Sequence, residues 1–282
     1  MHQNKAILIT GCSSGIGLAV AEGLQADGYT VVASARKHSD VERLRAQGLH
    51  AVQLDLDDRL SIHNGLEAAL DHTDGRLYGL FNNGAYGIPG AVEDISWEAL
   101  EAQLRTNVIG WHELTRLVIP LMRAAGEGRI IQNSSVLGIA AFPFRGAYTC
   151  SKFALEGLSD TLRLELHGSG IHVSLIEPGP IRSRFRDNAY AKYLEFVKGR
   201  PSVHQASYDA MEARLQKDGD ATAFTLGPEA VLKRVRHALQ AKRPKARYPV
   251  TTPTYVFALL RRLLSSRQMD WVMRKASGGG AR

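Results

Sequence analysis

Short apolar runs alternate with segments of helical spacing along most of the chain. The runs predicted as strands are Lys5–Thr10, Thr30–Ser34, His50–Asp55, Leu77–Phe81, Arg129–Asn133 and Ile171–Ile176. The segments predicted as helices are Ile16–Gly28, Asp40–Ala46, Ser61–Leu70, Ala99–Ala125 and Ala147–Leu166. Strands that are apolar on both faces and separated by helices require right-handed crossovers. The pattern therefore predicts an α/β fold with a Rossmann-type doubly wound parallel sheet.

The remaining segments predict how the chain is organised around this sheet. Residues 181–224 are polar, dotted with aromatic side chains and without a strand period, which is typical of a lid or a disordered segment. Helical spacing returns at residues 227–239, where a proline stands near the start. Because no repeat or Pro/Gly-rich linker divides the chain, we predict one domain over residues 1–250, with a helical lid, followed by a C-terminal extension at residues 251–282.

Charge and composition exclude some classes of function. The hydrophobic fraction of 44% is enough for a core, and the formal net charge is +7. Five of these net charges lie in residues 251–282, so the basic excess belongs to the extension. A nucleic-acid-binding face is therefore not predicted, because basic and aromatic residues are not interleaved along the domain.

The extension allows two interpretations. Its apolar side chains fall on one side of a predicted helix, and its basic ones are interspersed between them. These are Val256, Leu259, Leu260, Leu263 and Leu264, with Arg261, Arg262 and Arg267. Packing over the substrate cleft or across a dimer interface is favoured. Peripheral contact with a membrane surface is the alternative, since the segment is too interrupted to span a bilayer.

Cysteine and histidine usage bears on location and on metals. The two cysteines, Cys12 and Cys150, and the absence of a leader before the first strand predict a cytoplasmic protein without disulfides. Histidines such as His112, His167 and His172 lack ligand spacing, so no metal site is predicted.

The glycine-rich stretch Thr10-Gly-Cys-Ser-Ser-Gly-Ile-Gly17 lies between the first predicted strand and the first predicted helix. At this position, backbone amides and a helix N-terminus can face a pyrophosphate, and glycines permit close approach. An ordinary glycine turn is the alternative, but the position within a βα series favours a cofactor loop. A Walker loop is excluded, because no Gly-Lys-Ser/Thr follows.

The spacing of this loop, T-G-x-x-x-G-x-G, resembles the short-chain dehydrogenase/reductase family. Asp55 matches the family's adenine-contacting aspartate, and Asn82-Asn-Gly-Ala85 resembles its N-N-A-G turn with the last two residues exchanged. Pro178–Ser183 resembles its P-G-x-x-x-T segment, with serine for threonine. The resemblance implies a bound nicotinamide dinucleotide. The implied cofactor contacts are Thr10, Gly11, Ser13, Ser14, Gly15, Ile16, Gly17, Arg36, Lys37, Asp55, Leu56, Asn83, Gly84, Ala85, Tyr148, Lys152, Pro178, Gly179, Ile181 and Ser183.

Four further positions match the family's catalytic set: Asn107, Ser135, Tyr148 and Lys152. The resemblance implies that Ser135 holds the substrate carbonyl, that Tyr148 protonates it, and that Asn107 anchors a water that relays protons to Lys152. Because residues four apart share a helix face, Lys152 is expected to favour the Tyr148 phenolate. Ser134 is the alternative serine, a strand-end cap is the alternative role for Ser135, and a satisfied polar residue is the alternative for Asn107.

Cofactor choice depends on the end of the second predicted strand. The sequence there is Ala33-Ser-Ala-Arg-Lys37, without the acidic residue that binds a ribose 2′-hydroxyl. Arg36 can clamp a 2′-phosphate through two hydrogen bonds, and Lys37 adds charge. NADP(H) is therefore favoured over NAD(H), although a solvated basic loop is the other interpretation.

Substrate class is implied only by the finer resemblance. Ser151–Leu166 resembles the family's hydroxysteroid and retinol dehydrogenase branch. Glu177–Arg182, Phe224–Ala230 and Arg247–Thr251 resemble bacterial NADP-dependent aldehyde reductases of that branch. An apolar aldehyde is expected, with ketosteroids, retinoids or a 3-ketoacyl thioester as alternatives. A non-catalytic NADP-binding sensor is the rival from another class, and the family resemblance implies a homodimer or homotetramer.

Overall fold

A computed structural model describes residues 5–216, 219–220 and 222–277 of the chain. These residues contain one seven-stranded sheet with strand order β3-β2-β1-β4-β5-β6-β7, and every neighbouring pair is parallel. The strands are β1 (Ala6–Ile9), β2 (Thr30–Ala35), β3 (His50–Gln53), β4 (Gly79–Asn82), β5 (Gly128–Asn133), β6 (Ile171–Glu177) and β7 (Arg247–Pro249). This confirms the predicted doubly wound sheet.

Eleven α-helices lie in the described residues, on both faces and at one end of the sheet. They are α1 (Gly15–Ala26), α2 (His38–Ala46), α3 (Arg59–Asp71), α4 (Trp97–Leu104), α5 (Gly110–Ala125), α6 (Gly146–Glu165), α7 (Phe185–Phe196), α8 (Gln205–Gln216), α9 (Glu229–Gln240), α10 (Thr252–Leu263) and α11 (Ser266–Ala276). Strand order reverses at β1, which pairs with β2 on one side and β4 on the other. Ligands of such sheets bind beyond the carboxyl ends of the strands at this switch point.

The first strand shows why its sequence is apolar at every position. Ile7 and Ile9 belong to the core layer that includes side chains of α1 and α9, and Ala6 and Leu8 belong to the opposite layer with α3 and α5. Each fully buried aliphatic side chain of this kind contributes about 1.5–3 kcal/mol of hydrophobic stabilisation. The sheet that carries the site is therefore held rigidly from both faces.

The segment without a strand period contains two helices, α7 and α8. Their buried side chains form a third apolar cluster with Ile88, and these include Tyr193, Tyr208 and Met211. Tyr208 shows why the helical period of this segment is weak. Its ring is buried, but its hydroxyl accepts a hydrogen bond from Ala91 N at 3.0 Å. Amphipathic tyrosines in place of aliphatic residues weaken a helical period.

The long helix predicted at Ala99–Ala125 is interrupted. A π-helical turn at Arg105–Ile109 separates α4 from α5, so the segment is helical but not one regular helix. Asn107 lies in this turn and is fully buried. Such π turns occur frequently at functional sites.

The C-terminal segment is two helices where the sequence predicted one. α10 ends at Leu263, and Ser265 begins α11 with a reciprocal capping box to Gln268. Strand β7, which the pattern also missed, has only three residues, too few for an apolar run to be recognised. Within the part of the chain that the structure describes, no helix has the length and apolar run needed to cross a bilayer. Residues 278–282 of the predicted extension lie outside the described residues.

Candidate active site

The glycine loop after β1 is folded tightly on itself. Gly11 and Gly15 have φ of +71° and +59°, in the left-handed region that favours glycine. A Cβ on Gly11 would lie 2.5 Å from Gly84 Cα, and one on Gly17 would lie 2.2 Å from the Gly11 carbonyl oxygen. Side chains at these positions would displace backbone, so the loop has the cradle geometry that a pyrophosphate needs.

The turn after β4 anchors this loop. The Thr10 hydroxyl accepts hydrogen bonds from the backbone N–H groups of Asn83 at 2.8 Å and Gly84 at 3.0 Å. The Asn83 amide donates to the carbonyls of Thr10 at 3.0 Å and Gly11 at 3.2 Å. Trp111 Nε1 donates to the Gly84 carbonyl at 2.8 Å. Gly84, one of the two residues exchanged relative to the N-N-A-G turn, therefore lies directly against the glycine loop.

Two predicted cofactor segments meet the same loop. A Cβ on Gly15 would lie 2.8 Å from Ser183 Cβ, so the segment after β6 lies over the loop. Leu56 is buried after β3, and its side chain would be 3.0 Å from a Cβ on Gly84. Asp55 lies two residues beyond the end of β3 and accepts a hydrogen bond from Asp57 N at 3.0 Å. Residues that follow β1, β4 and β6 thus meet around the glycine loop, and Leu56 after β3 lies against the same turn.

Arg36 and Lys37 are exposed immediately after β2. Among the described residues neither side chain takes part in an ion pair or a hydrogen bond, and neither belongs to the lining of the cleft described below. Sequence reasoning missed Arg43 of α2, which donates to the Ser13 carbonyl at 2.6 Å. No motif marks Arg43, because its role depends on α2 lying beside the loop.

Tyr148 and Lys152 are both buried on α6, with 8% and 1% of their surfaces exposed. Lys152 Nζ donates to the Asn133 carbonyl at 2.7 Å and lies 4.4 Å from the Trp111 ring centroid. Burial lowers the pKa of Lys152 to about 7, and the nearby Glu156 carboxylate opposes this shift. A lysine held near neutrality can change charge at physiological pH.

Burial also controls the Tyr148 phenol. It raises the pKa of Tyr148, and the neighbouring Ser135 hydroxyl opposes the rise. This differs from the expected lowering by Lys152, because desolvation of the phenolate outweighs the effect of the neighbouring groups. Lys152 Nζ is 5.5 Å from the Tyr148 ring centroid. The Tyr148 phenol therefore keeps its proton at neutral pH.

Ser135 and Asn107 have more than one contact each. Ser135 Oγ accepts from Leu137 N at 3.1 Å, so the serine caps the short turn after β5 as well as facing Tyr148. The Asn107 amide donates to the Tyr86 carbonyl at 2.8 Å and to Ser151 Oγ at 3.2 Å. The Asn107 side chain thus fastens the π-helical turn to neighbouring backbone and to α6.

Sequence reasoning also missed two residues that hold Tyr148. Ser151 donates from Oγ to the Tyr148 carbonyl at 2.7 Å, which links it to Asn107. Phe185, the first residue of α7, packs edge-on against the Tyr148 ring at 5.3 Å between centroids. Ser151 adjoins Lys152 in sequence and could have been noticed, but nothing in the sequence marks Phe185.

A charged cluster lies behind Lys152. Arg247 of β7 bonds Glu156 at 3.0 Å, Asp160 at 2.6 Å and Glu177 at 3.3 Å. Burial raises the pKa of Glu177 to about 7, and the charge of Glu156 adds to that rise. Of the three carboxyl groups around this guanidinium, Glu156 is the one that raises the pKa of Lys152.

These elements line an open cleft with a volume of about 1110 Å³. It is lined by residues of the glycine loop, by Tyr148, by residues of α7 and α8 in the segment predicted as a lid, and by residues of α10. Its walls are rich in apolar side chains, which include Ile88, Val136, Leu137, Phe142, Phe144, Phe185, Met211, Phe224, Val256 and Phe257. The cleft can therefore hold a dinucleotide at one end and an apolar molecule at the other.

Comparison with known proteins agrees with this geometry. The family model described as short chain dehydrogenase matches residues 5–194. The uncharacterized oxidoreductase YbbO of Escherichia coli strain K12 is 46% identical, over 95% of this chain and 94% of that protein. The 17-beta-hydroxysteroid dehydrogenase type 6 of Bos taurus is 33% identical, over 97% and 89%.

Solved structures give the same result. A short chain dehydrogenase/reductase from Burkholderia phymatum in complex with NAD is 25% identical, with a TM-score of 0.78 and coverage of 97% of this chain and 96% of that one. A short-chain dehydrogenase from Streptomyces avermitilis is 28% identical, with a TM-score of 0.76 and coverage of 98% and 97%. The chain described here is an oxidoreductase that belongs to the short-chain dehydrogenase family.

Proposed function

We propose that the protein reduces the carbonyl group of an apolar aldehyde or ketone to the alcohol, with NADPH as the cofactor. The observation that carries the proposal is the position of Tyr148 and Lys152, which line the same cleft as the glycine loop and the apolar lid. A binding protein without catalysis would have little need for an acid and a near-neutral lysine at this point. The NADP-binding sensor is therefore disfavoured.

The residues present fit the cofactor. The left-handed glycines, the Asn83–Ala85 turn and Ser183 form the cradle, and Arg36 with Lys37 favours a 2′-phosphate. The relative from Burkholderia phymatum binds NAD, so this preference is a property proposed for this chain. When bound, the nicotinamide supplies a hydride to the carbonyl carbon.

The side chains would then act on the carbonyl oxygen. Tyr148 donates its proton to that oxygen, and Ser135 donates a hydrogen bond to it. The Lys152 ammonium stabilises the phenolate that remains and binds the cofactor ribose. Asn107 positions the π-helical turn and α6 and, as the family resemblance implies, anchors a water that returns a proton toward Lys152.

Apolar walls support an aldehyde with an aliphatic or ring-containing body. Five phenylalanines line the cleft, namely Phe142, Phe144, Phe185, Phe224 and Phe257. A steroid or retinoid is the alternative substrate class, supported by the relative named 17-beta-hydroxysteroid dehydrogenase type 6. A 3-ketoacyl thioester is a further alternative, disfavoured by the C-terminal helices that close one side of the cleft.

The proposal is tested by following absorbance of NADPH, then NADH, with purified protein and a panel of carbonyl compounds. The panel contains aliphatic aldehydes of rising chain length, retinal, estrone and a 3-ketoacyl thioester. We expect turnover with NADPH that improves with aldehyde length. Tight NADPH binding with no turnover across the panel would favour the sensor instead.

The C-terminal helices are proposed to form a wall of the cleft, because Val256 and Phe257 line it. Their outer face leaves Leu259, Leu263 and Trp271 exposed at 58%, 70% and 54%, near several arginines. We propose that this face contacts a second subunit of a homodimer or homotetramer in the cytoplasm, with peripheral contact to an anionic membrane surface as the alternative. Sedimentation with anionic liposomes separates these roles, since protein that remains in the supernatant at low salt would exclude contact with the membrane.

A further inference from the structure

The substrate cleft is strongly basic for a site expected to take an apolar compound. Among its described lining residues the only carboxylate is Asp220, which is bound to Arg182 at 2.9 Å. The basic residues of the lining are Arg145, Lys152, Arg182, Arg184, Arg186 and Arg214. Lys152 belongs to the catalytic set, and residues 182–186 lie beside the glycine loop, where the cofactor phosphates are expected. Arg145 and Arg214 are left without such an explanation.

Arg145 stands at the N-terminal boundary of α6, three residues before Tyr148. Its guanidinium donates to the Phe144 carbonyl at 2.9 Å and to Met211 Sδ at 3.2 Å. Both partners line the cleft, and Met211 belongs to α8. Within the described ranges no carboxylate lies within ion-pair distance of this half-buried cation. Burial lowers the pKa of Arg145 to about 10, and the charge of Arg214 adds to the effect.

Arg214 faces the same space from α8. It too forms no ion pair with the described residues, and its charge repels that of Arg145. Two like charges that share an apolar cleft cost free energy, and a bound anion removes that cost. A guanidinium is suited to bind a carboxylate through two parallel hydrogen bonds. The arrangement resembles a ligand subsite more than a structural ion pair.

We propose that Arg145, assisted by Arg214, binds a carboxylate of the substrate remote from the reacting carbonyl, so that the preferred substrates are apolar oxo acids. This inference rests on the proposed carbonyl reduction. Apolar walls between Tyr148 and the lid contact the aliphatic body, and the arginines fix its far end. Carbonyl compounds without the acid remain substrates, but bind less tightly.

The test compares ω-oxodecanoate with its methyl ester and with decanal, at saturating NADPH. For the unmodified protein we expect kcat/KM for the oxo acid to exceed that for the ester by about tenfold or more. Arg145→Gln should abolish this preference while retaining turnover of the ester, and Arg145→Lys should restore part of it. Arg214→Gln should reduce it by a smaller factor, because Arg214 is exposed.

The outcomes separate this inference from the proposed function. Equal kcat/KM values for acid and ester in the unmodified protein would overturn the carboxylate subsite, and leave the carbonyl reduction intact. So would an unchanged preference in Arg145→Gln. Should Arg145→Gln fail to fold, because Arg145 supports the Phe144 carbonyl, the Arg145→Lys and Arg214→Gln ratios decide the matter. No turnover of any of the three compounds would overturn the proposed function, and this inference with it.

Discussion

The ring of Phe185 packs edge-on against the ring of Tyr148, with the two centroids 5.3 Å apart. Phe185 begins α7, so the lid and the proposed general acid are in direct contact. Gly87 lies beside both rings, since a Cβ there would be 3.1 Å from Phe185 and 3.3 Å from Tyr148. The orientation of the phenol therefore depends on where the lid sits.

Phe185→Ala should lower kcat/KM by about twofold to tenfold, because an aromatic pair of this kind contributes about 0.5–1.5 kcal/mol. Steady-state kinetics with the best aldehyde of the panel measures the effect. Leu194→Ala is the matched control, since Leu194 lies on the same helix and is 44% exposed. An equal loss in both variants would mean that lid stability, and not ring contact, matters.

Gly17→Ala should weaken NADPH binding by at least about tenfold, because its Cβ would lie 2.2 Å from the Gly11 carbonyl and displace the loop. Fluorescence titration with NADPH measures this affinity. Gly157→Ala is the control, since Gly157 lies in α6 and nothing beyond its neighbouring residues and the backbone of its own helix lies within 4 Å of the added Cβ. That variant should keep NADPH affinity and gain about 1 kcal/mol of stability from helix propensity. Unchanged affinity in Gly17→Ala would remove the loop from the cofactor site.

Arg36→Asp should weaken NADPH binding far more than NADH binding, because the new carboxylate repels a 2′-phosphate and accepts from a 2′-hydroxyl. Affinities for both cofactors, measured in parallel, give the ratio. Arg123→Asp makes the same charge change in the last turn of α5, which leads into the amino end of β5. If both variants changed the ratio equally, the general field of the protein would be responsible and the phosphate clamp would be wrong.

The sheet could be predicted from the sequence because its strands are short apolar runs between helices. The position of Gly84 beside Gly11 could also be anticipated, because carboxyl ends of neighbouring parallel strands meet at one edge. Tyr148 and Lys152 were implied by the family resemblance together with Ser135 and Asn107, and their spacing adds only that they share one face of a helix. In each case local pattern and global topology point to the same residues.

The rest depends on contacts between distant segments. The contacts of Phe185 with Tyr148 and of Arg145 with Met211 depend on where α7 and α8 lie, which no periodicity in residues 181–224 revealed. The raised pKa of Tyr148 reflects burial by the assembled cleft, and a sequence motif does not specify burial. Arg43 reaches Ser13 only because α2 lies against the glycine loop.

Tyr148→Phe should lower kcat by about a hundredfold or more while leaving NADPH affinity within a few-fold, because it removes the transferred proton and keeps the ring. Rapid kinetics tests the expected loss of kcat, and NADPH titration tests the retained affinity. Tyr255→Phe removes a hydroxyl that accepts from Arg234 outside the cleft, and should keep full turnover. Retained turnover in Tyr148→Phe would mean that another group is the acid.

Glu156→Gln should move the alkaline limb of the pH profile to lower pH. Reduction leaves a phenolate that a protonated Lys152 stabilises, so kcat/KM should fall as pH rises through the Lys152 pKa, which burial lowers to about 7. The Glu156 carboxylate raises that pKa, so removing its charge lowers it further, and the loss begins at lower pH. Glutamine keeps the size and can still accept from Arg247.

Asp160→Asn separates this electrostatic role from a structural one. Asp160 binds the same Arg247 at 2.6 Å but is not among the groups that shift Lys152. We therefore expect Asp160→Asn to change stability without moving the limb. A limb that stays in place in Glu156→Gln, or moves to higher pH, would contradict the assignment of Lys152 as the group that titrates. If the alkaline limb moved equally in both variants, the cause would be a disturbance of the cluster around Arg247, because a direct effect on the Lys152 pKa is expected from Glu156 alone.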